Sequence, residues 1–183
     1  MAYTGGKSYL STSLASLPDI AVDYMFAVEF NLDGSKLTFA SEFQDLTVKA
    51  RTCVIPGRST EVIESWFMGS KQVFPAKTTY TNEVSIKFEE FQDGGTHSLL
   101  KKWQDAIYDI KTGTRISNKK KDYSADVIVS MMGTDGILIG EPIVFKTAWI
   151  KSVGEPSLSY ESGSAISFEC TFAYDRWKYA SEV

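Results

Sequence analysis

The sequence is poor in the residues that most enzyme and metal chemistry needs. Its 183 residues include one histidine, His97, and two cysteines, Cys53 and Cys170. The cysteines lie far apart and form no CxxC pair, which excludes a disulfide-dense scaffold and a four-cysteine zinc site. A serine or cysteine triad needs a base. No positioned nucleophile accompanies His97, and a role near a helix start or on the surface is the plainer reading. No apolar run approaches the ~18 residues of a membrane span. The first twenty residues lack the continuous apolar stretch of a signal peptide, and there is no Asn-x-Ser/Thr acceptor. Synthesis in a cytosol without signal-dependent export is the expectation. Basic residues are outnumbered, 19 against 23, for a net charge of -4. Such a surface binds phosphates poorly, though a polyanion could slide past it.

Phosphate-loop patterns also fail. Gly5-Gly6-Lys7-Ser8 resembles the end of such a loop, but Met1 stands where the first glycine belongs. "GTDGILIG" has no helix after it. Glu89 and Glu90 are strand neighbours and point to opposite faces, so they cannot share a reaction centre. No catalytic residue, cofactor or metal is expected.

What remains is a chain built for β-structure. A 43% hydrophobic and 13% aromatic composition is that of a folded domain rather than a disordered chain. One domain over residues 1–183 is expected. Residues 1–18 are small and polar and read as an extended arm. Tyr24 to Phe30 alternate as a strand, and Asp33-Gly34 signals a hairpin turn. Leu37 and Phe39 start a return strand expected to reach Ala50. "EVSIKFEEF" places Val84, Ile86 and Phe88 on one face. Ser85, Lys87 and Glu89 fall on the other. Leu100, Trp103, Ile107 and Ile110 recur at helical spacing, predicting a helix over 96–110 with Thr96 as N-cap. A basic loop follows, with Lys119, Lys120 and Lys121. Three more strands complete the pattern, over Tyr123–Met131, Ile137–Lys151 and Ala165–Tyr174. The last presents Ile166, Phe168, Cys170, Phe172 and Tyr174 on one face. The fold expected is mainly β: an antiparallel sandwich or barrel of about seven strands, one flanking helix and a protruding hairpin.

The hairpin is the anomaly. In "VIESWFMGSKQVFP", Trp66-Phe67-Met68 and Val73-Phe74 flank a turn expected at Gly69-Ser70-Lys71-Gln72. Trp66 and Met68 point one way and Phe67 the other. A hairpin with one side in water alternates apolar with polar residues, and this one does not. A soluble protein keeps an apolar face of that size where a partner covers it, and another copy is one such partner.

Four segments carry a resemblance. "LPDIAVDYMFAVEF" looks like an N-terminal arm running into a first strand. "WFMGSKQVFPAKTTYTNEVSIKFEEF" looks like a hairpin and the strand after it. "THSLLKKWQDAI" looks like a helix with a late tryptophan. "GEPSLSYESGSAISFECTFAYDRWKY" ends in Asp175-x-Trp177. In order and spacing they are similar to the tail tube proteins of contractile-tailed, T-even-type bacteriophages, which are related to type VI secretion tube proteins. The resemblance implies stacked hexameric rings forming the inner tube of a tail, with DNA passing through an acidic channel without specific binding. It implies an inter-ring hairpin over 41–75, with Ile63, Trp66, Phe67, Met68, Val73 and Phe74 buried between rings. It implies sheath, baseplate and terminator partners, no membrane, and a virion assembled in the host bacterial cytoplasm. Lys119, Lys120 and Lys121 are candidates for contact with the sheath or another acidic protein surface, against a plain solvated loop. Cys53, beside the hairpin, is a candidate for an intersubunit disulfide, and Cys170 reads as a buried small hydrophobe.

Four rival readings stay open. One is a type VI or other contractile injection tube. A second is a tail initiator or terminator. A third is a small-ligand barrel, which would be a monomer with a closed apolar cavity. The last is a hydrolase, which would need His97.

Overall fold

The computed structural model describes residues 23, 25–32, 35–37, 39–115, 117–160 and 163–182. Among them are nine strands and two α-helices. The expected arm over 1–18, Tyr24 and the Asp33-Gly34 turn lie outside the described residues.

The strands are β1 (Phe26–Asn31), β2 (Ala50–Val54), β3 (Arg58–Phe67), β4 (Ser70–Tyr80), β5 (Glu83–Glu89), β6 (Ala125–Met131), β7 (Ile143–Val153), β8 (Ser167–Ala173) and β9 (Arg176–Tyr179). Seven form one antiparallel sheet in the order β1-β6-β7-β8-β5-β2, with β9 also on β7. β3 and β4 pair only with each other. The fold is mainly β and antiparallel, as the alternating patterns predict.

β7 bends the sheet. Its first half pairs with β6 and β9, and its second half, from Trp149, with β8. Between the halves Thr147 has φ 52, a left-handed conformation uncommon for a β-branched residue. Two carboxylates hold it there. Asp126 accepts from the Thr147 N–H at 3.0 Å and from Lys146 Nζ at 2.9 Å, and Asp175 accepts from Thr147 Oγ1 at 2.6 Å.

The inward faces match the alternation: Val84, Ile86 and Phe88 of β5 and Phe168, Cys170 and Phe172 of β8 are all buried. Phe30 sits at the centre of an aromatic cluster. Its ring centroid lies 5.7 Å from Phe172, 6.0 Å from Phe43, 6.2 Å from Trp103 and 6.4 Å from Phe88. Such pairs contribute about 0.5–1.5 kcal/mol each beyond their burial.

Three local expectations are corrected. The return strand from Leu37 to Ala50 is instead a 3-10 turn, Ala40–Phe43, followed by helix α1, Gln44–Lys49. Phe39, Phe43 and Leu46 recur every three to four residues. Phe43 and Leu46 are buried, so packing against the core selects the helix. Helix α2 covers Gly95–Ile107, not 96–110. The Asp109 side chain ends it by accepting from Lys111 N–H and Thr112 Oγ1, both at 2.8 Å. Ile110 is therefore outside the helix and exposed.

Thr96 is not the N-cap. Gly94 occupies that position with φ 60, and the Glu90 carboxylate accepts from Thr96 N–H at 3.1 Å and His97 N–H at 2.8 Å. A carboxylate from the preceding strand end thus satisfies two of the helix's free donors. Leu99, Leu100 and Trp103 face the core, and Trp103 Nε1 donates to the Tyr123 carbonyl at 2.8 Å.

Candidate assembly interface

The arms of the hairpin run from Arg58 to Phe67 and from Ser70 to Tyr80, so the hairpin is shorter than the expected 41–75 and ends later. Phe67 pairs directly with Ser70, so the turn is the dipeptide Met68-Gly69 rather than the tetrapeptide Gly69-Ser70-Lys71-Gln72. Both turn residues have positive φ, 47 and 79, as a type I′ turn requires. Asn or Gly favours the first position; a methionine there is strained. Met68 is the tip and is 92% exposed.

The register sorts the side chains. Trp66 lies opposite Lys71, Glu64 opposite Val73 and Val62 opposite Pro75. On this face Lys71 pairs with Glu64 at 2.5 Å and sits 5.9 Å from the Trp66 ring centroid. On the other face Ile63 lies opposite Phe74, Ser65 opposite Gln72, and Phe67 opposite Ser70. From Ile63 outward this second face carries no charge. Trp66 is 67% and Phe67 is 68% exposed, and Val62, Ile63, Val73 and Phe74 are exposed too. Each face therefore shows three large apolar side chains to solvent. Full burial of a residue such as Val, Ile or Phe stabilises by about 1.5–3 kcal/mol, so the pair of faces is a substantial reservoir of association energy.

Nearer the body the register shifts between Thr60 and Val62. Glu61 there faces the two residues Ala76 and Lys77, a bulge that increases the twist of the hairpin. The base is tied down firmly. Arg58 stacks on Trp177, the Tyr174 hydroxyl donates to the Thr81 carbonyl, and Tyr174 N–H donates to the Asn82 carbonyl at 2.9 Å. Lys151 pairs with Glu83 at the start of β5.

Asp175 and Trp177 are both structural. The Asp175 carboxylate accepts from Lys120 and Thr147, and the Lys120 hydrogen bond, with that from Thr147, holds it below the usual carboxylate range. Lys120 is thus already paired within its own subunit, which ranks it behind its two neighbours as a docking cation. Lys119 and Lys121 are exposed. The basic loop is itself pinned by buried Asp122, which Lys36 contacts at 2.7 Å and Ser117 at 2.5 Å.

Cys53 is half-buried on β2 and is free. Burial pushes its thiol up to about 12, which suppresses the thiolate that disulfide exchange needs. Cys170 is buried and likewise pushed up to about 12. His97 packs edge-on against Phe168, with ring centroids 5.1 Å apart. Among the described residues no group of three or more His, Cys, Asp or Glu could hold a metal ion.

The sequence missed Arg58 and Tyr174 at the hairpin base, and Glu90 as a cap. Only Glu90, a carboxylate just before Gly94-Gly95, carried a local signal.

No curated protein matches the sequence. Among solved structures, the chain is similar in fold to a chain of the PVC extracellular contractile injection system, in its sheath–tube complex in the extended state. The TM-score is 0.62 at 17% identity, over 92% of this chain and 96% of that one. It is also similar to a chain of the PVC sheath/tube terminator, with TM-score 0.63 at 16% identity over 90% and 99%. A chain of the tube-terminating cap of the anti-feeding prophage gives TM-score 0.62 at 14% identity over 98% of each. At these identities the likeness concerns the fold. The sequence model of the phage tail tube proteins matches residues 17–180, nearly the whole chain, and the protein belongs to that family.

Proposed function

We propose that this protein is the repeating subunit of the inner tube of a contractile tail. Copies form hexameric rings, and the rings stack head to tail through the β3–β4 hairpin. The observation that carries this reading is the hairpin itself. It has large apolar side chains on both faces and, among the described residues, pairs with no other strand of its own subunit. A ring above or below covers both faces and removes the aggregation hazard of an exposed two-stranded sheet. Ile63, Trp66, Phe67, Met68, Val73 and Phe74 are the contact residues.

In this reading the tube lies within a sheath, starts at a baseplate and ends at a terminator. DNA passes through without specific binding, helped by the acidic net charge of -4. The protein acts in the virion tail after assembly in the bacterial cytoplasm, and its work is structural rather than catalytic. Lys119 and Lys121 are the candidate cations for the sheath. A second reading is a terminator, favoured by the likeness to the PVC terminator and the prophage cap. A terminator caps a tube and does not stack on itself.

Negative-stain electron microscopy of the concentrated protein, with gel filtration alongside, separates the two. Hollow rods are expected. Single rings that never stack favour the terminator. A monomer at every concentration, even with preformed tail nuclei added, overturns both.

A further inference from the structure

The β6–β7 ladder is interrupted where β7 bends. Ala125 pairs with Ala148 and Val127 with Phe145, so Asp126 alone faces both Lys146 and Thr147. Such a bulge re-aims side chains. These three residues line a groove of about 510 Å³. Buried Ser124 and Ala125 line it too, with Lys121 from the basic loop and Arg176, the first residue of β9. Thr147 holds its left-handed backbone here, a strained state of the kind that clusters at ligand clamps.

Charge in the groove does not balance. The Asp126 carboxylate is taken up by Lys146 and the Thr147 N–H, and that of Asp175 by Lys120 and the Thr147 hydroxyl. Lys121 and Arg176 are left over. Both are exposed, and among the described residues neither has an ion-pair partner. Asp122, next to Lys121 in the sequence, is held instead by Lys36 and Ser117. Four cations thus meet two carboxylates, in a chain whose net charge is -4.

We infer that this groove binds a small oxyanion, phosphate or a carboxylate, between Lys121 and Arg176. The guanidinium offers a planar fork of donors that matches two oxygens of either group, and the lysine adds a point charge. The Ser124 hydroxyl is a further donor in the lining. Asp126 and Asp175 do not repel the ligand as free carboxylates would, because each is already paired with a lysine. The volume is within the range of small-molecule sites, about 300–1,000 Å³. A bound anion ties the basic loop to β9. The site is separate from the hairpin and does not depend on the stacking reading.

Titration calorimetry and thermal unfolding of the full chain test it. Inorganic phosphate and citrate are each titrated in a zwitterionic buffer at neutral pH, with ionic strength held constant by sodium chloride. Saturable heats and a rise in Tm that levels off are expected. Binding of phosphate but not citrate assigns a tetrahedral oxyanion, and the reverse assigns a carboxylate. Arg176→Gln and Lys121→Gln, both at exposed positions, should fold, by circular dichroism, and each should weaken binding by at least about tenfold. Lys119→Gln makes the same change in net charge outside the groove lining and should leave the affinity within about twofold. Neither heat nor a Tm shift with millimolar phosphate or citrate overturns the inference. So does a Tm shift that chloride reproduces at equal ionic strength, which would be screening alone. Equal weakening by Lys119→Gln and Arg176→Gln also overturns it, since the attraction would then belong to the whole surface and not to the groove.

Discussion

Arg58 stacks on Trp177, with the guanidinium carbon 4.1 Å from the ring centroid. The first residue of the hairpin is thereby fixed to the last strand of the sheet. Among the described residues β3 and β4 pair with no strand of the body, so this contact and the Tyr174–Thr81 hydrogen bond help to aim the hairpin. A cation over a tryptophan contributes about 0.5–2 kcal/mol, and the contact is made with the ring face.

Arg58→Ala should therefore leave the body folded and free the hairpin. Amide exchange in β3 and β4 is expected to rise several-fold, with no change in β5 or β8. Trp177→Phe keeps an aromatic face and should have a smaller effect. Equal protection of the hairpin in Arg58→Ala and the unmodified protein would remove the orienting role.

Trp66→Asp is expected to give a folded subunit that does not stack. The residue is 67% exposed, so the subunit's own stability should change by no more than about 0.5 kcal/mol. Stacking would then bury a carboxylate in place of an indole, beside Lys71, whose ammonium already pairs with Glu64. Normal rods from this variant, seen by electron microscopy, would show that this face of the hairpin is not covered.

Asp175 gives the fold an acid sensitivity. Its folded pKa is lowered, chiefly by the Lys120 hydrogen bond. Its stabilisation is therefore fully present above the unfolded value, about 3.9, and is lost as pH falls through the folded value. Asp175→Asn should lower Tm at pH 7, and the gap should close as pH drops below about 4. A gap of constant size from pH 7 to pH 2 would mean that charge at Asp175 does not matter.

Cys53 should be nearly inert in the native protein. With its thiol pushed to about 12, the thiolate fraction at pH 8 is on the order of a thousandfold below that of a free cysteine. Alkylation should be slow until urea is added, and assembled material should run as a monomer on non-reducing gels. A dimer band that disappears in Cys53→Ser would establish the intersubunit disulfide after all.

Much of the body was legible because its elements carry complete periods. Val84, Ile86 and Phe88, then Phe168, Cys170 and Phe172, alternate cleanly, and each set is buried on one face. The helix around Leu100 and Trp103 had its stripe. Residues 37–50 misled because Leu37 and Phe39 begin as a strand would, and the helical repeat of Phe43 and Leu46 acts only once Phe30 and Trp103 are there to receive it. The end of α2 was missed because Asp109 competes for backbone donors through its side chain, which a hydrophobic stripe does not register.

The hairpin divides in the same way. Its sequence alone determined that apolar side chains fall on both arms and both faces, since alternation is a property of extended backbone. The tertiary structure decided which residues share a face. It moved the turn to Met68-Gly69, which sets every cross-strand pair from there, and it placed a bulge at Ala76-Lys77. It also decided which charges are free. Lys120 lies beside Lys119 and Lys121 in the sequence, yet its partner Asp175 is 55 residues away. Periodicity records what a residue's near neighbours do. Register and ion pairing depend on strands that meet only after the chain has folded.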